Sequence, residues 1–270
     1  MQKRVAIPGS TLNVEDVGQG TPILFVHGFP LDHTMWRHQI ADLSSDFRCI
    51  APDLRGFGQS SVTAGTVTME QFADDLAELL EALHVTEPIV FCGLSMGGYI
   101  AWQFARRHAQ RLKGLILCDT RADPDTPEAA NNRLKLADDV LQHGSELVAN
   151  AMLPRLFAPG TGQSRPALID EIRNVILATN PHGIAAASRG MAERANARPW
   201  LSSISVPSMV LVGEQDAISP AAEMRDLAAL IPGASFDDVP NAGHMAPLEN
   251  PISANACIRR ELQRWSVRHQ

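Results

Sequence analysis

Ile89-Val90-Phe91-Cys92-Gly93-Leu94-Ser95-Met96-Gly97-Gly98 is a short apolar run followed by G-x-S-x-G and then by a helical pattern. It predicts a buried strand, a very tight turn carrying one serine, and a helix. Turning from strand to helix within a residue or two brings backbone close to the serine, and Gly93 and Gly97 remove the side chains that would collide there. Ser95 Oγ is then expected above the strand end, facing the unpartnered first N–H groups of the following helix, a terminus that favours negative charge. Acyl transfer needs that arrangement, because its tetrahedral intermediate develops an oxyanion that fixed N–H donors stabilise. A glycine-rich turn with a helix-capping serine has the same pattern, so this stretch by itself leaves catalysis open.

Outward from it the chain alternates. Ile23 to Val26, Cys49 to Ala51, Leu115 to Cys118 and Met209 to Val212 are continuous apolar runs, as expected of parallel strands covered on both faces by helices. Val5 to Val17, folded about Pro8-Gly9-Ser10, predicts an antiparallel hairpin at the sheet edge, and Phe236 to Val239 a last short strand. Met69, Phe72, Leu76, Leu79, Leu80 and Leu83 fall on one helical face, with the acidic residues Glu70, Asp74, Asp75, Glu78 and Glu81 read as its solvated side. Ser219-Pro220 is expected to cap one later helix and Asn250-Pro251 to open the terminal one. From Ala122 to Trp200 no strand-like run appears. Helical stripes there are separated by Pro154, Pro159-Gly160, Pro166 and Pro181, with Leu134, Val140, Leu141, Leu147, Val148 and Leu153 as candidate apolar faces. The expected organisation is therefore a core of residues 1–121 and 201–270 interrupted by a helical insertion, 122–200.

A serine hydroxyl is almost wholly protonated at neutral pH, so a nucleophilic Ser95 needs a base. His244, in Asn241-Ala242-Gly243-His244-Met245, follows the last strand, and loops at the carboxyl ends of parallel strands share the rim where Ser95 stands. Asp216, just past Met209 to Val212, shares that rim and completes the chain order nucleophile, acid, base. Asp119 also follows a strand directly and is a rival acid; Glu214 is a weaker one. His27-Gly28-Phe29-Pro30 occupies the same rim, and the Phe29 N–H is expected to join that of Met96 in an oxyanion hole, so that both residues contact substrate. His27 is read as a loop brace, and Asp53 and Arg55 as partners of each other or of nearby backbone. Pro30, by fixing its own φ and restricting the residue before it, is expected to orient the carbonyls around Phe29; one turned into the site could accept a hydrogen bond from hydrogen peroxide and support perhydrolysis.

Composition narrows the function classes. The 270 residues are 45% hydrophobic and 20% charged, with a formal charge of −7, so no basic stripe is present to displace counterions from a nucleic acid, and anionic membrane surfaces are disfavoured. No run approaches a membrane span and no apolar segment follows the basic residues Lys3 and Arg4, so a cytoplasmic location is expected. Cys49, Cys92 and Cys118 sit in apolar runs, and Cys257 is far from them; none suggests a disulfide or a metal site. The nine histidines show no metal-ligand spacing, and neither metal nor cofactor is expected.

Five motifs in order, H-G-F-P, P-D-L-R-G-F-G-Q-S, G-L-S-M-G-G, V-G-E-Q-D and N-A-G-H-M, resemble the α/β-hydrolase superfamily over nearly the whole chain. The resemblance implies an α/β fold with an eight-stranded, mostly parallel sheet, helices on both faces, residues 122–200 as a helical cap over the site, and triad roles for Ser95, Asp216 and His244. Haloalkane dehalogenases and epoxide hydrolases carry aspartate where this chain has Ser95, and its single tyrosine, Tyr99, lies outside the cap, so neither chemistry is expected. Phe91 to Gly98 and Leu117 to Thr120 look like 3-oxoadipate enol-lactone hydrolases, whereas His27 to Leu31 looks like arylesterases and cofactor-free haloperoxidases. The expected activity is hydrolysis of a small carboxylic ester or lactone through an acyl-enzyme. A carbon-carbon bond hydrolase and a ligand sensor on the same fold are the alternatives. Acyl and alcohol specificity depend on how the cap packs, and oligomeric state is not written in the sequence.

Overall fold

The computed structural model describes residues 2–267. Its centre is a single sheet of β1 (Gln2–Ile7), β2 (Ser10–Val17), β3 (Pro22–Val26), β4 (Arg48–Pro52), β5 (Ile89–Leu94), β6 (Leu112–Cys118), β7 (Ser208–Gly213) and β8 (Ser235–Val239), in the spatial order β1-β2-β4-β3-β5-β6-β7-β8. β1 pairs with β2 and β2 with β4 antiparallel, and all later pairings are parallel. The continuous apolar runs are the central strands: β3, β5 and β7 are buried at every residue. The hairpin strand β1 is exposed along most of its length and β8 carries Asp237 and Asp238, which keeps both sheet edges polar.

The register decides where the chemistry collects. Val26 pairs with Gly93, Leu94 with Cys118, Cys118 with Leu211, and Gly213 with Val239. The ends of β3, β5, β6, β7 and β8 are thus level. The strand order also reverses between β3 and β5, since β3 neighbours β4 on its other side, and a crevice for ligands opens at such a switch point.

Helices α1 (Arg37–Leu43), α2 (Met69–Ala82), α3 (Met96–Arg107), α9 (Ala221–Ala229), α10 (Ala246–Glu249) and α11 (Pro251–Val267) belong to the sheet-bearing part, and α4 (Pro127–His143), α5 (Glu146–Leu156), α6 (Thr161–Ser164), α7 (Pro166–Ala178) and α8 (Pro181–Ala192) fill the segment between β6 and β7. Pro166 and Pro181 open α7 and α8 as expected, and Asn180 caps α8 through the His182 N–H. Pro154 instead lies inside α5 near its end, where it separates nothing. Val140 and Val148 are buried, but Leu134 and Leu141 are 41% and 39% exposed, because α4 meets α8 through the smaller Ala137 and Val140. α8 in turn lies against the core: a Cβ on Gly183 would stand 1.9 Å from Gly56 O, so glycine is required for that contact. Val67 N–H donates to Ala186 O at 3.1 Å, stitching the same helix to the segment before α2.

Two further expectations are corrected. Asp75 is not on a solvated face; it is 1% exposed and takes a bidentate pair from Arg55, with Oδ2 to Nε 2.7 Å and Oδ1 to Nη2 2.6 Å. The helix after β7 starts at Ala221 with Pro220 as its cap residue, and the Ser219 hydroxyl is turned to Asp119 O at 3.3 Å instead of to the helix start. No helix among the described residues is long and apolar enough to cross a membrane.

Candidate active site

Ser95 occupies the joint between β5 and α3 with φ 53° and ψ −110°, a left-handed backbone that a side-chain-bearing residue adopts only where its surroundings enforce it. They do. Its N–H donates to Cys118 O at 2.9 Å, and its carbonyl accepts from Gly98 N–H at 2.9 Å and from the Thr120 hydroxyl at 2.7 Å. A Cβ on Gly93 would stand 2.5 Å from Gly97 O, and one on Gly97 would stand 2.3 Å from Val26 O, so the two glycines are what allow the turn to close. The N–H of Met96, first in α3, has no intrahelical acceptor by its position. The loop after β3 presses on the same spot, with a Cβ on Gly28 reaching 3.4 Å from Ser95 Cβ.

His244 and Asp216 meet from the neighbouring loops. His244 Nδ1 bonds Asp216 Oδ2 at 2.8 Å, with both residues buried. Asp216 Oδ1 accepts the N–H of Ile218 at 2.7 Å and of Ser219 at 3.0 Å. Burial pushes the Asp216 carboxyl upward, but the hydrogen bond and charge of His244 and the two N–H donors outweigh it and hold the group below the usual carboxylate range. Nδ1 thus carries the proton toward Asp216, which makes Nε2 the unprotonated nitrogen of a neutral ring. Glu214 is exposed and its Oε2 accepts the Asn241 N–H at 3.2 Å, so it braces the loop before His244 rather than reaching the imidazole. Asp119 is brought to the same place: one atom each of Asp119, Asp216 and His244 lie within 4.8 Å of one another.

The loop carrying Phe29 is braced from below. His27 Nδ1 bonds Gly28 O at 2.9 Å and its Nε2 accepts the Leu54 N–H at 3.0 Å, which makes Nδ1 the protonated nitrogen of a neutral ring; burial, above all, lowers its pKa. Phe57 packs edge-on to both His27 and Phe29, with centroids at 5.2 and 6.3 Å. The Phe29–Pro30 peptide is cis. Gly28 O accepts Leu31 N–H at 3.0 Å, and Pro30 O lies 3.2 Å from the Thr179 hydroxyl, whose one proton is shared with Val175 O at 3.0 Å. Asp53 and Arg55 do not pair with each other: Asp53 Oδ1 takes His33 Nδ1 at 2.5 Å, while Arg55 turns to Asp75.

Several residues that shape the site escape a reading of the sequence. Glu249 Oε2 accepts Gly243 N–H at 2.7 Å and its Oε1 accepts Ala158 N–H at 3.0 Å and the Thr161 hydroxyl, clasping the His244 loop to the segment after α5. Thr120 and His33 are equally silent, since nothing in their neighbourhood marks them; only the position of Asp75, three residues after Phe72 and four before Leu79, could have shown that it faces inward. Two clusters, Asp32-His33-Asp53 and Asp119-Asp216-His244, have the donor types for a metal ion, and in each the histidine Nδ1 is already engaged by a carboxylate.

The alpha/beta hydrolase fold family matches residues 21–251. This chain belongs to that family. Among similar proteins of the alpha/beta hydrolase fold, 3-oxoadipate enol-lactonase 1 of Acinetobacter baylyi is 31% identical over 90% of each chain. A thermophilic esterase from Thermogutta terrifontis, solved with malate bound, is 48% identical with a TM-score of 0.95 over 98% of this chain and 99% of its own. The enol-lactonase from Burkholderia xenovorans is 30% identical with a TM-score of 0.90 over 97% and 100%.

Proposed function

We propose that this alpha/beta hydrolase is a serine hydrolase of small carboxylic esters or lactones that works through an acyl-enzyme. The observation that carries the reading is the buried 2.8 Å bond from His244 Nδ1 to Asp216, on the rim where Ser95 sits in its enforced left-handed turn. His244 Nε2 takes the Ser95 proton as Oγ attacks the carbonyl carbon. The oxyanion rests on the N–H groups of Phe29 and Met96, and Asp216 stabilises the imidazolium. His244 then gives its proton to the departing alkoxide and activates the water that releases the acid.

The esterase and enol-lactonase relatives support an ester or lactone as the bond cleaved. Residues 122–200 serve in this reading as a cap whose packing selects the acyl and alcohol groups. No group among the described residues donates to the Phe29 carbonyl, which favours perhydrolysis as a side activity when hydrogen peroxide replaces water. The test is a steady-state comparison of aryl esters of rising acyl length with a panel of lactones, on wild type and Ser95→Ala, together with labelling by an organophosphonate. Many turnovers per protein by wild type and neither turnover nor label in Ser95→Ala are expected. Full-stoichiometry labelling of Ser95→Ala would falsify the assignment of the nucleophile.

A further inference from the structure

Asp119 sits at the end of β6 in a backbone as constrained as that of Ser95, with φ 47°. Its N–H donates to Leu211 O at 2.9 Å, its Oδ1 accepts Gly213 N–H at 2.8 Å, and its carbonyl accepts the Ser219 hydroxyl at 3.3 Å. The side chain is therefore fixed on β7, on the strand that delivers Asp216. Its second oxygen, Oδ2, is buried and accepts from no donor among the described residues. An ionised carboxylate oxygen in that position would lose its hydration and gain nothing.

The titratable groups that face Asp119 are Asp216, His244 and Cys118. None supplies a free positive charge, since the one proton His244 directs this way goes to Asp216. Two carboxylates this close in a buried site do not both ionise; they hold one proton between them. The donors decide which keeps it. Asp216 accepts from His244, Ile218 and Ser219, three N–H groups that favour its anion, whereas among the described residues the Asp119 carboxyl accepts from Gly213 alone.

We propose that Asp119 is a proton-bearing positioning residue, whose carboxyl O–H donates to the Asp216 carboxylate and holds the acid of the triad in place. The inference rests on the triad reading above. Burial first, and then the negative charge of Asp216, keep the Asp119 carboxyl well above the usual carboxylate range, in agreement with the geometry. The donated bond has two effects. It fixes the Asp216 carboxylate from the side opposite His244, and it makes Asp216 a weaker base, so the imidazolium proton stays on Nδ1 through the acylation step.

Asparagine tests this well, because its amide can accept from Gly213 and donate to Asp216 as a neutral carboxyl does; leucine has similar volume and does neither. Asp119→Asn should keep kcat within about 3-fold of wild type, well inside the effect of an orphaned buried group, while Asp119→Leu should lose roughly 5- to 100-fold in kcat with KM unchanged. The acid limb of its kcat/KM profile should move to higher pH, since an Asp216 that has lost this donor keeps more of its negative charge facing the imidazole. Infrared spectra at neutral pH should show a protonated carboxylic acid band in wild type that disappears in Asp119→Asn, a readout that needs no leucine variant to fold. Absence of that band from wild type, or equal losses in the two variants, overturns the proposal. Full activity in Asp216→Asn would sink the triad reading itself; an inactive Asp216→Asn beside indistinguishable Asn and Leu variants at 119 would sink only this inference.

Discussion

Glu249 accepts the Gly243 N–H at 2.7 Å, one residue before His244, and the same carboxylate accepts the Ala158 N–H at 3.0 Å. The His244 loop and the helical insertion are therefore held by a single buried side chain. Met245 N–H adds a second tie to Leu156 O at 3.1 Å. Removing the carboxylate leaves the N–H groups of Gly243 and Ala158 and the Thr161 hydroxyl buried without acceptors, at about 1–3 kcal/mol for each one that water does not reach. Glu249→Ala should thus lower the unfolding free energy by about 2–4 kcal/mol, measured by urea denaturation, with Glu249→Gln between it and wild type. Equal stability of Glu249→Ala and wild type would show that the clasp contributes nothing.

The assignment of Asp216 makes a separate prediction. With asparagine at 216 the His244 ring is held in the wrong tautomer, and kcat should fall by about 10⁴. Asp119→Asn should cost far less. The reverse ranking would move the acid to Asp119.

Much of this arrangement is legible in the sequence because it follows from local rules. The continuous runs of β3, β5, β6 and β7, the glycines on either side of Ser95, and the prolines that open α7 and α8 each act within a few residues of themselves. What escapes depends on partners brought in from a distance. Asp53 pairs with His33 and Arg55 with Asp75, each across 20 residues, and the short sequence distance between Asp53 and Arg55 points the wrong way. The outer leucines of α4 fail for a related reason, since Leu134 and Leu141 are as apolar as Val140 and only the close approach of α8 decides which side is buried. Ser219 is a plausible cap by type, but its hydroxyl is engaged by the Asp119 carbonyl, 100 residues away in the chain.

Stability should follow pH through the His33–Asp53 pair. Burial disfavours the His33 imidazolium, but the hydrogen bond and charge of Asp53, with Asp32 and Glu15, outweigh it and raise the group above its ordinary 6.5. Burial likewise opposes the Asp53 anion, and His33 with the N–H donors of Gln59 and His33 brings it down to about 2. A raised histidine stabilises fully below its unfolded pKa and loses that contribution as pH rises through the folded value; a lowered aspartate does so above its unfolded pKa and loses it as pH falls through the folded one. The pair should therefore contribute most between the two ordinary values, 3.8 and 6.5. In urea melts across pH, wild type should lose stability above neutrality more steeply than His33→Gln. Parallel curves on the alkaline side would remove His33 from the account.

Acyl preference should respond to the insertion according to which side of it a residue faces. Phe157 is buried where the insertion meets the His244 loop, its Cα 3.0 Å from where a Cβ on Gly243 would stand. Phe157→Ala should shift the preferred acyl chain upward, each added methylene being worth about 1–3 kcal/mol in an apolar pocket. Leu134→Ala and Leu141→Ala, on the exposed side of α4, should leave the preference unchanged. Uniform loss with every substrate in Phe157→Ala would indicate a folding role instead.

The last prediction concerns peroxide. Thr179, between α7 and α8, sets its hydroxyl 3.2 Å from Pro30 O and 3.0 Å from Val175 O, while the Thr179 carbonyl accepts the Ser145 hydroxyl at 2.5 Å. Under the function proposed above, the Phe29 carbonyl is the acceptor that meets an attacking nucleophile on the acyl-enzyme. Hydrogen peroxide has a hydroxyl to donate there while its other oxygen attacks. Proline at 30 fixes its own φ and restricts Phe29 to extended backbone, which leucine would not do. Wild type should form peracid from acetate and peroxide, Pro30→Leu should form less while keeping most of its ester hydrolysis, and Ser95→Ala should form none above the uncatalysed rate. Thr179→Val, which frees the Pro30 carbonyl without altering the proline, should change the ratio of perhydrolysis to hydrolysis less than Pro30→Leu does. If Pro30→Leu makes as much peracid as wild type, the direction of the Phe29 carbonyl is not what selects peroxide.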